Sequence, residues 1–177
     1  LPKVLQNTQG GEIIIADNAS TDNSISFLTN NFPNLRVIHM PVNKGYAGGY
    51  NEALQQVSAD WYILMNSDIE PLENWLENLV NFVQQYPTVK AAQPFILKEN
   101  NPIEFEYAGA AGGYIDFLGY PFCRGRIFDH CEEDKQQYQS TMDLHWATGA
   151  CLAVEAKTYW EVGGLDEYLF AHQEEID

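Results

Sequence analysis

The sequence predicts an α/β domain built on a mostly parallel sheet with helices on both faces. Three observations carry this: short β-branched runs recur along the first hundred residues, helical patterns separate them, and a polar cluster follows each of the first three runs. Ligands of such sheets sit beyond the carboxyl ends of the strands, so the clusters mark one edge as a site.

Taken in order, residues 12–16 (Glu-Ile-Ile-Ile-Ala) form a buried strand, and a helix capped by Ser20 or Thr21 runs to about Asn31. Residues 35–40 form a second strand. A helix over 45–57 opens on a glycine-rich turn. Trp61 to Met65 is a third strand, and Trp75, Leu76, Leu79 and Val83 space a helix over 72–85. Residues 89–96 read as a fourth strand. Past residue 100, glycine-rich and aromatic segments imply short antiparallel strands and loops, with residues 136–143 exposed. A helix near 155–162 is closed by Gly163-Gly164 in left-handed geometry. One domain spans 1–177, with an irregular second half from residue 101.

Composition narrows the function. With 45% hydrophobic residues and 13% aromatics the chain can bury a core, which excludes disorder. Nine Lys and Arg against 25 Asp and Glu give a net charge of −16. Nucleic acid and anionic membrane surfaces are therefore poor partners for this portion. A phosphate-bearing ligand needs local compensation from backbone N–H groups or a divalent cation. Cys123, Cys131 and Cys151 are odd in number, as in a reducing compartment. Cys123, His130 and Cys131 lack a fourth zinc ligand, so packing is their expected role. No apolar run reaches the ~18 residues of a membrane helix. Leu1 suggests a trimmed N-terminus.

Four segments carry chemistry. Asp17 to Asp22 follows the first strand: the Asp17 carboxylate can accept from a base N–H or ribose hydroxyl, though a capped turn explains the same residues. Asn43 to Asn51 has glycines at 45, 48 and 49, which permit close backbone approach to a ligand or to the helix's own neighbours. Asn66-Ser67-Asp68 ends the third strand and offers an oxygen ligand for Mg²⁺ or Mn²⁺, or a polar turn before a helix. Residues 170–177 place three carboxylates beside a histidine and aromatics, which suits either a general base or a solvated acidic face.

Together, IIIADNASTDNS, NKGYAGGYN, YILMNSDIEP, WATGACLAV and VGGLDEYLFAHQEEID resemble, in order, the family-2 glycosyltransferases of GT-A fold, particularly rhamnosyltransferase-like bacterial members. The resemblance implies a Rossmann-like nucleotide-sugar-binding half over 1–100 and an acceptor and catalytic half over 101–177. Asp17 and Asn18 would contact the nucleoside, with Asn43, Gly45, Gly49 and Asn51 lining its pocket. Asn66, Ser67 and Asp68 match the DXD-type motif with Asn in the first place, which makes Asp68 the metal ligand. Thr148, Gly149 and Ala150 would line the donor sugar. Glu175 takes the base position, with Glu174 and Asp177 as substitutes.

The implied reaction is inverting transfer from a nucleoside-diphosphate sugar to a saccharide or lipid-linked saccharide. Such enzymes act on the cytoplasmic side, at the inner face of the membrane, in surface polysaccharide synthesis. The resemblance also implies a further central strand before Leu1 and a continuation after Asp177. A nucleotidyltransferase is an alternative, but it would carry a basic glycine-rich loop at the first strand. A non-catalytic binding module of the same fold is the other.

Overall fold

The computed structural model describes residues 1–173 and 176. Its elements run α1 (Pro2–Asn7), β1 (Ile14–Asp17), α2 (Ser24–Asn31), β2 (Arg36–His39), α3 (Gly45–Leu54), β3 (Trp61–Met65) and α4 (Trp75–Gln85). Short strands follow: β4 (Ala91–Ala92), β5 (Leu97–Lys98), β6 (Asn101–Phe105), β7 (Gly113–Ile115), β8 (Pro121–Cys123), β9 (Arg126–Ile127) and β10 (His130–Cys131). Then come β11 (Cys151–Glu155), α5 (Ala156–Glu161) and a 3₁₀ turn at Glu167–Leu169.

The first half follows the expected alternation, and the boundaries shift for local reasons. The helix expected from residue 72 begins at Trp75, because Asn74 sits at φ 61°, outside helical geometry. The helix expected from Ser20 or Thr21 begins at Ser24. Ser20 instead gives its backbone N–H to Asp17 Oδ1 at 3.2 Å.

β1 and β2 pair in parallel, with Asp17 opposite His39. β3 does not pair with them among the described residues. It lies beside β11, antiparallel over five residue pairs from Cys151↔Met65 to Glu155↔Trp61, and β4 completes the order β3-β11-β4. The parallel pairing expected of the first half therefore holds for β1 and β2, while β3 and β4 pair antiparallel with β11.

The strand expected over 89–96 shrinks to two residues. Pro94 has no N–H to give a ladder, and the Gln93 side chain turns to donate to Gly109 O at 3.1 Å. β11 takes the central place, and its run Cys-Leu-Ala-Val is buried throughout.

One core cluster joins Tyr62, Leu64, Leu152, Val154, Ala156 and Tyr159. Leu64 is 1% exposed, and burial of a leucine side chain stabilises by about 1.5–3 kcal/mol. A second cluster gathers Phe105, Ala110, Ala111, Cys123 and Trp146, with Tyr138 and Ile176 packed against it. Cys123 is thus a packing residue.

α5 ends as expected. Gly163 N–H donates to Trp160 O and Gly164 N–H to Tyr159 O, with Gly163 at φ 97°.

Candidate active site

α3 is a poor helix by propensity, with three glycines in ten residues, and its neighbours hold it in place. Asn18, one residue past β1, donates through Nδ2 to Asn43 Oδ1 (3.0 Å) and Gly45 O (2.7 Å). Its Oδ1 accepts from the Lys44 N–H at 3.0 Å. One amide thereby fixes the loop after β1 to the loop after β2.

From the first turn of α3, the Tyr46 hydroxyl donates to Gly149 O at 2.5 Å; one turn on, Tyr50 donates to Met65 O at 3.0 Å. The two rings meet edge to face with centroids 4.7 Å apart. The Asn66 N–H then donates to Ala150 O at 3.0 Å. The four predicted segments (17–18, 43–51, 66–68 and 148–150) are therefore linked by direct hydrogen bonds.

Within that frame the predicted residues divide. Asp17 is 9% exposed at the end of β1. Burial works to raise the pKa of its carboxyl, but the Ser20 hydrogen bonds and nearby His39 outweigh it and hold Asp17 below the ordinary carboxylate range. Ser67 and Asp68 are exposed in the turn after β3, and among the described residues no hydrogen bond or ion pair engages Asp68. Asn66 is half-buried beside them.

Other residues face the protein itself. All four hydrogen-bonding positions of the Asn51 amide are used. Nδ2 donates to Leu165 O (2.8 Å) and Glu167 Oε1 (3.1 Å), while Oδ1 accepts from Tyr159 Oη (2.6 Å) and Leu165 N (3.1 Å). Asn51 therefore holds the segment after α5 instead of lining the pocket with a free amide.

A Cβ on Gly45 would lie 2.1 Å from Phe170 O, and one on Gly49 would lie 3.0 Å from Asn18 Nδ2. The close approach that these glycines allow is to the chain's own groups. Thr148, 2% exposed, donates through Oγ1 to Ala108 O at 3.1 Å and accepts from Ala150 N at 3.2 Å. It shapes the Gly149-Ala150 wall. Glu174, Glu175 and Asp177 lie outside the described residues.

The sequence reading missed Tyr46, Tyr50 and Gln93. The tyrosines' signal was their spacing of four on one helix face. Burial pushes the Tyr50 hydroxyl up to about 12, so it stays a donor. Gln93 accepts from Thr148 N at 2.8 Å, and nothing in its local sequence marks it.

Among the described residues no group of three or more His, Cys, Asp or Glu could hold a metal ion. A hard cation at a diphosphate needs only one or two protein carboxylates, and exposed, unpaired Asp68 fits that smaller demand. No helix among the described residues is long and apolar enough to cross a membrane.

Comparison with solved structures places this architecture among the GT-A folds. It is similar to GalNAc-T7 crystallised with UDP, GalNAc and Mn²⁺, with TM-score 0.67 and 16% identity, covering 98% of this chain and 35% of that one. It is also similar to the mannosyltransferase PcManGT from Pyrobaculum calidifontis in complex with GDP-Man and Mn²⁺, with TM-score 0.56 and 17% identity, covering 88% of this chain and 38% of that one.

The chain belongs to glycosyl transferase family 2, whose family profile matches residues 4–153. It is 25% identical over 183 residues to N-acetylglucosaminyl-diphospho-decaprenol L-rhamnosyltransferase of Mycobacterium tuberculosis, in both strains CDC 1551 / Oshkosh and ATCC 25618 / H37Rv. That alignment covers 93% of this chain, which spans 58% of the relatives' length.

Proposed function

We propose that this chain carries the donor site and part of the acceptor site of an inverting glycosyltransferase. The enzyme takes a sugar from a nucleoside-diphosphate sugar, with rhamnose as the first donor to test. The acceptor is a hydroxyl of a lipid-linked saccharide at the cytoplasmic face of a bacterial membrane, in surface polysaccharide synthesis. The supporting observation is the hydrogen-bonded frame that joins the strand-end loops through Asn18, Tyr46 and Tyr50.

In this reading Asp17, ionised and at a strand end, accepts from the nucleoside. Asn18, Asn43, Gly45, Gly49 and Asn51 set the shape of that wall. Ser67 and Asp68 face the diphosphate, with Asn66 anchoring their turn. Thr148 holds Gly149 and Ala150 against the donor sugar. Bound Mg²⁺ or Mn²⁺, held by Asp68, would offset charge on the departing diphosphate.

Glu175, with Glu174 or Asp177 in its place if needed, takes the proton from the acceptor hydroxyl. The oxygen attacks the anomeric carbon, the carbon–oxygen bond to the diphosphate breaks, and the nucleoside diphosphate leaves with the electron pair.

Single-turnover transfer by the full-length protein tests this. Glu175→Gln should abolish transfer and leave donor affinity within about threefold. Undiminished turnover in that variant would place the base elsewhere.

A further inference from the structure

The β7–β8 hairpin ends in a loop that uses its polar groups on its own backbone. Asp116 Oδ1 accepts from the N–H groups of Leu118 (2.8 Å) and Tyr120 (2.9 Å), and the Asp116 carbonyl accepts from Gly119 N (3.0 Å). The Asp116 N–H donates in turn to Tyr120 O at 3.0 Å. Every one of these N–H groups is satisfied without water.

This arrangement turns the apolar side chains outward. Phe117 is 94% exposed, and Leu118, Tyr120 and Phe122 are exposed beside it. The neighbouring β9–β10 hairpin repeats the feature: Phe128 at its turn is 89% exposed, next to exposed Ile127. Single exposed apolar residues are ordinary, but six within residues 117–128 mark an interaction surface.

The base of the β7–β8 hairpin is fixed. Cys123 is buried in the core cluster that holds Trp146. Gly113 N donates to Trp146 O at 3.2 Å, and His145 N donates to Gly113 O at 3.0 Å. Trp146 lies two residues before Thr148, so the loop projects from the frame that carries the proposed donor-sugar wall.

Charge and shape select the partner. Residues 107–131 hold two Arg (Arg124, Arg126) and two Asp (Asp116, Asp129), so this stretch is neutral in a chain of net charge −16. A protruding five-residue turn falls far short of the roughly 20–30 residues a side of a stable protein interface. Exposed Phe and Leu above satisfied N–H groups, with a tyrosine beside them, match the boundary between lipid headgroups and acyl chains.

We propose that the loop over 116–120 is a membrane-docking tip that inserts Phe117 and Leu118 into the interface of a lipid bilayer, with the Tyr120 hydroxyl at headgroup level. This docking deepens the transferase reading, on which it rests for its membrane, by naming the surface that meets the lipid. It is driven by apolar burial, so anionic headgroups add nothing to it.

The test uses the full-length protein without nucleotide, mixed with phosphatidylcholine vesicles that carry brominated acyl chains. Phe117→Trp puts a fluorophore at the tip, and Phe27→Trp puts one on exposed α2. Bromine should quench the fluorescence added at 117 by about half or more and leave that added at 27 unchanged. Raising salt from about 0.1 M to about 0.5 M, or replacing about a third of the lipid by phosphatidylglycerol, should not strengthen or abolish the quenching.

Phe117→Ser combined with Leu118→Ser should lower vesicle partitioning about tenfold or more, with Mn²⁺-supported binding of UDP, dTDP or GDP unchanged. Equal quenching at 27 and 117, or undiminished partitioning of the double variant, overturns the proposal. So does binding that requires phosphatidylglycerol and vanishes in high salt. A dimer in sedimentation that the double variant abolishes, without quenching at 117, would assign the tip to a second copy of the chain and overturn it too. The quenching pair decides alone if the double variant does not fold. Quenching at 117 in a protein that binds no nucleotide would sink the transferase reading and leave the docking tip standing. Nucleotide binding without quenching would do the reverse.

Discussion

The Tyr46 hydroxyl and the Gly149 carbonyl meet at 2.5 Å across 103 residues of sequence. This contact ties the glycine-rich start of α3 to the turn that enters β11, and so joins the two halves of the chain at the proposed donor site. Tyr46→Phe keeps the ring and its contact with Tyr50 but leaves Gly149 O unpaired. Urea denaturation should show a loss of about 1 kcal/mol. Donor affinity in the full-length protein should fall several-fold, because the Gly149-Ala150 wall loses its register.

Asn51 makes four hydrogen bonds from a site that is 6% exposed. Asn51→Ala strands the Tyr159 hydroxyl and the Leu165 backbone together. A loss of about 2–4 kcal/mol in chemical denaturation is expected. A loss below 0.5 kcal/mol with weakened donor binding would return Asn51 to the ligand pocket.

Gly45 sits at φ 70° with Phe170 O in the place of a side chain. Gly45→Ala must displace residues 167–173, since left-handed geometry costs about 1–2 kcal/mol before any clash. Hydrogen exchange should rise in that segment while β1 and β2 stay protected, and transfer should fall sharply.

Asp17 contributes a pH dependence to stability. Its folded pKa is depressed below the ordinary 3.8, so its contribution to stability is fully present above that value and is lost as pH falls through the folded pKa. Asp17→Asn should therefore flatten the stability curve on the acid side of pH 4 and change its shape little above pH 5. Denaturation midpoints across pH 2.5–6 would check the sign.

The first half of the fold was legible because each strand there is a short β-branched run with a polar cluster behind it. β3 was read residue for residue. β11 was not read as a strand, since its partners Met65 and Ala92 are far away in sequence and its run is only four apolar residues long. The fourth strand was overestimated because Val89 to Ile96 looks continuous until Pro94 and the side chain of Gln93 are considered. At the site, the segments were visible but the division of labour was not. Asn51 and Gly45 look like pocket residues by type, and only tertiary contacts reveal that Leu165 and Phe170 occupy them.

The central claim is a donor site assembled from the ends of β1, α3, β3 and β11, with Asp68 as the residue that holds a divalent cation against the diphosphate. Calorimetric titration of the full-length protein with UDP, dTDP and GDP, with and without Mn²⁺, tests it most directly. At least one nucleotide should bind about tenfold or more tightly with Mn²⁺, and Asp68→Ala should erase that difference while leaving metal-free binding intact. Absence of binding by all three nucleotides, or an Mn²⁺ effect that survives in Asp68→Ala, would contradict the account.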